Sequence, residues 1–360
     1  MVSRFFANVR NHSEIKLRIL RRFLTPWAAK LGSIAKNSSG VIWYVDGFAG
    51  PGRYDDGTDG SPLIGLQMAQ AIKNRDRGYQ LANLFVENNL KNWKSLERLS
   101  AAFRVNGVTA NNLRGKFADL IPEISEITAG SPLLLFVDPF GISPIKYQQF
   151  KTLLNREWPI DVILNFSHRA VYRLATNHPH LITEAIGSEN WRREWALTDD
   201  PELRAKYVLE EFRQNMIRDG RFHNVLYYPI RPTITAAPRY YLVFASRHYD
   251  AFELWNDEIA QEEISLSAKQ YSTLLLQASF LPEFDNDNRG VNLLNEISSF
   301  TTSLKGFTRR DIVRHLVEHR WGQYHTRDIK KAVGSLVESG KIKRLHVGGQ
   351  GVGTDEMTPA

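Results

Sequence analysis

The stretch VIWYVDGFAGPG, residues Val41 to Gly52, is an unbroken apolar run that ends on an acid and passes straight into a glycine-rich turn. A short run without polar interruption suits a strand buried on both faces of a parallel sheet. Two further runs have the same form: LANLFVEN, Leu81 to Asn88, and PLLLFVDPFG, Pro132 to Gly141. All three end on a carboxylate, at Asp46, Glu87 and Asp138. Ligands of open α/β sheets bind just beyond the carboxyl ends of the strands, so these acids are expected around one crevice.

Outward from these runs, Asn11 to Leu31 has helical spacing at Ile15, Ile19, Leu20, Phe23, Leu24 and Trp27, with Pro26 as a kink or restart. Lys16, Arg18, Arg21 and Arg22 fall on the opposite face, read as solvated. Ser61-Pro62 offers an N-cap and a first-turn proline for a helix to about Ile72. A helix at Lys91 to Phe103, a weak strand at Gly107 to Ala110 and a short helix at Phe117 to Ile124 follow. Asp161 to Phe166 is the next strand. Val225 to Ile230 and Tyr240 to Ala245 are separated by only nine residues. That is too few for a crossover helix and predicts an antiparallel hairpin.

The expected fold class is therefore α/β, a Rossmann-like, mainly parallel sheet closed by an antiparallel hairpin. The hairpin argues against a nicotinamide enzyme with six parallel strands. Residues 168–222 exceed a simple crossover and predict a helical insertion beside the crevice mouth, in which Trp191 and Trp195 first suggest packing. After a helix at Asp250 to Ile264, the composition of LPEFDNDNRG, Leu281 to Gly290, marks a linker. The domains expected are 1–280, a linker 281–304, and a winged helix 305–360. In the last, Thr308 would cap Arg309 to His319 and Thr326 would cap Arg327 to Ser339. Gly340 would end the second helix, Lys341 to Leu345 would form a strand, and Gly348 to Gly353 a hairpin tip.

Lys305 to Arg344 holds eleven Lys or Arg against four acids, an excess equal to the net charge of +7 of the whole chain. A polyanion is the partner that such concentration suits. Arg327, Lys330 and Lys331 lie on the expected recognition helix, and Lys341, Lys343 and Arg344 lie toward the wing. Winged helices also dock proteins, and that alternative stays open.

With 42% hydrophobic and 24% charged residues, the chain reads as an ordinary globular protein. No apolar stretch approaches the roughly 20 residues that span a bilayer, and no secretory signal is visible, so the cytoplasm is the expected location. The chain has no cysteine. It cannot by itself hold a thiolate iron–sulfur cluster, a Cys-type zinc site or a disulfide, nor attack cytosine C5 through a cysteine. No metal-ligand spacing stands out, and His315 and His319 read as surface residues of a basic helix.

The turn has its own chemistry. Glycines allow positive φ and close backbone approach to a ligand. A phosphate-binding turn would open a helix at once, whereas here the polar loop Arg53 to Gly60 intervenes and no lysine is in place, which disfavours a nucleoside triphosphate. An acid in the turn suits a ligand ammonium, such as that of S-adenosyl-L-methionine, and Glu87 is placed to take ribose hydroxyls. The candidate cofactor set is Asp46, Gly47, Phe48, Ala49, Gly50 and Gly52 with Glu87 and Asn88.

On these residues the chain resembles the class I S-adenosylmethionine-dependent methyltransferases, roughly over Gly40 to Ile259. Asp138-Pro139-Phe140 resembles the Asp/Asn-Pro-Pro-aromatic motif of amino-methyltransferases. The combination of YVDGFAGPGRY, GSPLIGLQMA, FVDPFG and YYLVFASRH is similar to the three-Cys-motif partner family, a resemblance that extends to the N-terminal helix with Lys16 and Trp27 and toward the tail. The resemblance implies an S-adenosylmethionine cofactor, a nucleic-acid base (DNA or RNA) as acceptor, and a separate three-Cys-motif protein that supplies the thiolates. It further implies that Asp138 and the Pro139 carbonyl accept hydrogen bonds from an exocyclic amine while Phe140 stacks on the base. The second proline of the motif is missing, and Gly141 follows the aromatic. The plain alternative has Asp138 capping a helix near Ser143-Pro144, Phe140 packed inside and Ser61 serving only as an N-cap. Asn165 and His168, beyond the next strand, are further candidates for the crevice wall. A non-catalytic accessory subunit is the rival reading.

Overall fold

The computed structural model describes residues 2–54, 57–231, 238–277, 286–346 and 356–359. The chain forms two compact units, Met1–Ala251 and Phe252–Ala360. In the first, the order is α1 (Val2–Ala35), β1 (Val41–Asp46), α2 (Ser61–Asn74), β2 (Gln80–Glu87), α3 (Leu90–Arg104), β3 (Ala110–Arg114), α4 (Ile121–Ile127), β4 (Leu133–Val137), α5 (Tyr147–Leu154) and β5 (Ile160–Phe166). Four helices then fill the expected insertion: α6 (His168–Asn177), α7 (Pro179–Ile186), α8 (Trp191–Trp195) and α9 (Pro201–Gly220). Strands β6 (Asn224–Ile230) and β7 (Tyr240–Ser246) complete the sheet.

The seven strands lie in the order β3-β2-β1-β4-β5-β7-β6. The first five run parallel, and β7 pairs antiparallel with both β5 and β6, as the short connection requires. Every residue of β4 and β5 is buried, which explains the uninterrupted apolar run of β4 and the largely apolar one of β5, where Asp161 and Asn165 are the buried polar residues. The order reverses between β1 and β4, and ligands of open α/β sheets bind beyond the strands' carboxyl ends at such a switch point.

Helix α1 presents Ile15, Ile19, Phe23, Trp27, Leu31 and Ala35 to the core at a strict i, i+4 spacing. Pro26 removes one backbone donor, yet the helix is continuous through it because the residues on either side are anchored in the core. The Trp27 indole N–H donates to the buried Asp161 carboxylate at 2.7 Å. Burial pushes the Asp161 carboxyl up, and hydrogen bonds from Ser246 and Trp27 oppose it. Trp27→Phe removes one of those donors, so urea unfolding should show a loss of about 1–3 kcal/mol. An unchanged midpoint would mean that this bond adds nothing to stability.

Several expectations shift. The weak strand lies at Ala110–Arg114, and the short helix at Ile121–Ile127. Ser61 is the first residue of α2, whose cap is Gly60, without a side-chain capping bond. No helix starts near Ser143: α5 begins at Tyr147 with Lys146 at its cap, so Asp138 caps nothing there.

In the second unit, α10 (Tyr249–Gln277), which begins at the end of the first, is followed by α11 (Asn286–Thr302), β8 (Phe307–Thr308), α12 (Arg309–His319), α13 (Thr326–Glu338), β9 (Ile342–His346) and β10 (Glu356–Pro359). The strands form a sheet in the order β8-β10-β9. The boundary falls at 251 rather than 280 because α10 is built into this unit. The Asn256 side chain donates to the Tyr324 carbonyl at 2.8 Å and accepts from the Gly322 amide at 2.8 Å. Most of the expected linker 281–304 is α11, which buries Leu293 and Ile297. Thr308 caps α12 in a full capping box with Asp311. Thr326, by contrast, is the first residue of α13, and His325 is the cap; the Thr326 amide and hydroxyl both bond Asp257 at 2.7 Å. The expected hairpin tip at 348–353 lies outside the described residues.

Candidate functional site

The turn after β1 is pinned to both neighbouring strands. The Gly47 amide donates to the Phe136 carbonyl at 2.9 Å, and the Ala49 amide donates to Val86 at 2.9 Å. Gly50 and Gly52 take φ of 63° and 79°, which is why glycine stands there. The Asp46 Oδ1 accepts from the Phe48 amide at 3.0 Å, curling the chain over the strand end. Gly47, Ala49 and Gly52 are buried, while Phe48 is half-buried and packs its ring against Phe117.

Asp46 itself is fully buried, and its Oδ2 has no hydrogen-bond partner among the described residues. Burial pushes this carboxyl up to about 7; the Asp138 charge adds to the shift, and the Ser61 hydroxyl, the Phe48 amide and Lys16 oppose it. Tyr44 lies two residues earlier on the same strand face, also fully buried with an unpartnered hydroxyl. Burial and the Asp46 charge hold that phenol well above its usual range. A buried carboxylate oxygen without a donor is costly, and a ligand cation would satisfy it.

Register places the other acids around this one. Asp46 stands opposite Phe85 on β2, so Glu87 is two residues further along that neighbour. It stands opposite Phe136 on β4, so Asp138 is two residues further along the other. Glu87 is half-buried, its Oε1 accepting from the Asn89 amide at 2.6 Å, and Asn88 is exposed. The strand-end set is thus brought together at one end of the sheet, at its switch point.

Asp138 is not free. Its Oδ2 forms an ion pair with Lys16 of α1, and its Oδ1 accepts from the Asn165 side chain at 2.7 Å. Lys16 therefore leaves the solvated helix face predicted for it. Burial and Asp138 together drive the Tyr240 phenol above its usual range. Pro139 is buried, whereas Phe140 is fully exposed, at 104%. The packed-inside alternative for Phe140 is therefore incorrect. Burial lowers the pKa of His168, and neither of its ring nitrogens has a hydrogen-bond partner among the described residues. The ion pair of Lys16 with Asp138 and the effect of Asp138 on Tyr240 escape a motif reading, because they join a helix and an antiparallel strand to a strand end distant in sequence. The signal for Tyr44 was its two-residue spacing from Asp46 on one strand face.

A cavity of about 590 Å³ lies at the β3 edge instead, lined by Trp93, Glu97, Arg104 and Asn112 among others. Its polar groups bond one another: Arg104 and Asn112 both donate to Glu97. It is a separate feature from the crevice. Among the described residues, no group of three or more His, Asp and Glu side chains could hold a metal ion, and no helix is long and apolar enough to cross a membrane.

In the second unit, Arg327, Lys331, Lys341, Lys343 and Arg344 are exposed. Lys330 is half-buried, 3.9 Å from Glu253.

The sheet order, with its reversal at β1/β4 and its antiparallel β7, is that of a Rossmann-like methyltransferase fold. No family model matches the chain, and no curated protein matches it. Solved structures similar to it include the O-methyltransferase TomG from Streptomyces achromogenes, in complex with SAM (14% identity over 62% of this chain and 80% of that one, TM-score 0.33). Another is an O-methyltransferase from Bacillus cereus in complex with SAH (10% identity, 68% and 90% coverage, TM-score 0.33). A third is coclaurine N-methyltransferase bound to N-methylheliamine and SAH (9% identity, 61% and 70% coverage, TM-score 0.24). Likenesses at these identities and scores transfer no activity to this chain.

Proposed function

We propose that this protein is an S-adenosyl-L-methionine-dependent methyltransferase that acts on nucleic acid, at a base. The observation that carries the proposal is the buried Asp46 carboxylate at the switch point of the sheet, whose second oxygen has no hydrogen-bond donor among the described residues. The residues fit the cofactor: Asp46 would take its ammonium, the turn from Gly47 to Gly52 would run beside it, and Glu87 with Asn88 would take its ribose. The bound cofactor would supply an electrophilic methyl group. Asp138 and the Pro139 carbonyl would orient the acceptor amine, with Phe140 stacking on the base.

The basic second unit supports a polyanionic acceptor. Its order of a capped helix, a second helix and a three-stranded sheet suits a winged helix, with α13 as the recognition helix and β9 leading toward the wing. Calorimetry with S-adenosylhomocysteine should detect binding, which Glu87→Ala weakens by about 1–3 kcal/mol. Binding of NAD without S-adenosylhomocysteine would refute the cofactor reading. A triple Arg327/Lys330/Lys331 alanine variant should bind DNA or RNA with a flatter dependence of log affinity on log salt, by about one unit per lost phosphate contact. An unchanged slope would remove α13 from nucleic-acid docking.

One observation favours a second reading. Both Asp138 oxygens are engaged, by Lys16 and Asn165, so neither is open to an acceptor amine. In that reading the protein is a non-catalytic accessory subunit that binds the nucleotide-like ligand and works with a separate three-Cys-motif protein. Transfer of labelled methyl to nucleic acid by the purified chain alone would decide against it.

A further inference from the structure

Phe140 is the most exposed large hydrophobic residue among those described, and it sits at the end of β4, on the rim of the crevice. A fully solvated phenyl ring gains no burial from folding, and its face is open to a ligand. Gly141, the next residue, lies against α6: a Cβ added there would come within 3.4 Å of the Ala170 Cβ. Ala170 borders the solvent face of that helix, which carries Arg169 and Arg173 one turn apart, both exposed. Neither guanidinium has a hydrogen-bond or ion-pair partner among the described residues.

Helix α6 contains no acid. The carboxylates nearest in effect, those whose fields reach His168 next to Arg169, are Glu202 and Asp200. Glu202 is already matched by Lys206 and Arg231, and Asp200 is occupied in capping α9. Behind the arginine face, Tyr172 packs on Trp195, with ring centroids 5.6 Å apart, and Trp195 carries Arg204 at 5.2 Å. The helix face is therefore held firmly on an aromatic base.

The geometry points to the α6 face and Phe140 together as a docking surface for single-stranded nucleic acid, in which Arg169 and Arg173 contact phosphates and Phe140 stacks on an unpaired base. This deepens the nucleic-acid reading above and rests on it. An exposed ring, one residue from a glycine that packs on the arginine-bearing helix, joins the stacking platform and backbone charge that sequence-tolerant strand binding uses. An acidic protein would use the charges but leave the ring without a role.

The test is a salt titration of a labelled single-stranded oligonucleotide on the full chain, with S-adenosylhomocysteine calorimetry on each variant. Arg169→Gln/Arg173→Gln should flatten the slope of log affinity against log salt by about 1.4, at roughly 0.7 per contact on a single strand. Arg169→Lys/Arg173→Lys, which keeps the charge, should retain the wild-type slope. Phe140→Ala should weaken binding about tenfold or more at constant slope. S-adenosylhomocysteine affinity should be unchanged in both arginine variants. A glutamine pair with the wild-type slope, or a lysine pair that behaves like the glutamine pair, overturns the surface while leaving the nucleic-acid reading intact. A wild-type chain that binds no oligonucleotide overturns both. Equal competition by polyglutamate, with no effect of Phe140→Ala, would assign the face to acidic proteins and overturn it as well.

Discussion

Affinity for S-adenosylmethionine should rise about tenfold per pH unit up to about pH 7 and level off above it, if Asp46 receives the cofactor's ammonium. Burial first, and Asp138 next, raise this carboxyl to about 7, so below that pH Asp46 is protonated and offers no anion to a cation. Binding then requires loss of the proton, and calorimetry in buffers of different ionisation enthalpy should detect its release. Asp46→Asn should remove the pH dependence and weaken binding above pH 7 by about 1–3 kcal/mol. The ligand-free protein should show the opposite trend in stability. A folded-state pKa above the unfolded one means that the native state holds the proton more tightly. The resulting stabilisation is present below about pH 4 and is lost as the pH rises to about 7. A cofactor affinity that is flat between pH 5 and 8 would place the ammonium elsewhere.

The largest effect on turnover should come from Asp138. Asp138→Ala should lower methyl transfer by about a hundredfold or more, because misplacing the acceptor alone costs that much, while cofactor affinity at pH 8 stays nearly intact. Lys16→Met gives the complementary result. Lys16 holds the carboxylate oxygen that the acceptor amine needs, so its removal should lower the acceptor's KM. Single-turnover transfer of labelled methyl separates these effects. Equal loss of cofactor binding in Asp138→Ala would move Asp138 into the cofactor site, and unchanged transfer would take it out of the chemistry.

The sheet could be read from sequence where strands are buried on both faces. The runs that became β1, β2, β4 and β5 needed shifts of only about a residue, because positions between two layers are filled mostly by apolar side chains, even though Asn83, Asp161 and Asn165 are buried among them. Strand β3 was misplaced because it is an edge: of Ala110 to Arg114 only Ala110 is buried, and the strand carries two asparagines. Helix α11 was taken for a linker because its first turn is made of Asn and Asp, and its two core contacts come later. Ser61 and Thr326 have the right side chains for caps, but both stand one position inside their helices, turned toward tertiary neighbours. Ser61 faces Asp46, Thr326 bonds Asp257, and the residue before each takes the cap position.

The site was legible to the same depth. The three strand-end acids announced the crevice, since each closes an apolar run. The pairing of Asp138 with Lys16 was not legible, because Lys16 is one of several basic residues on an amphipathic helix and only packing brings it to that acid. Charge pattern alone also pointed to the second unit and passed over α6, where two arginines among neutral residues make no visible cluster.

The place of β7 has a consequence for how the chain is made. Strand β5 is wholly buried, and its open side is covered only by β7, which follows after all of α6 to α9 and β6. Until Tyr240 to Ser246 have left the ribosome, the nascent chain carries a bare apolar strand with a row of unpaired backbone groups. Translation arrested inside the insertion should yield a chain that associates with others through β5, and chaperone demand during synthesis should peak over that interval and fall once β7 has emerged.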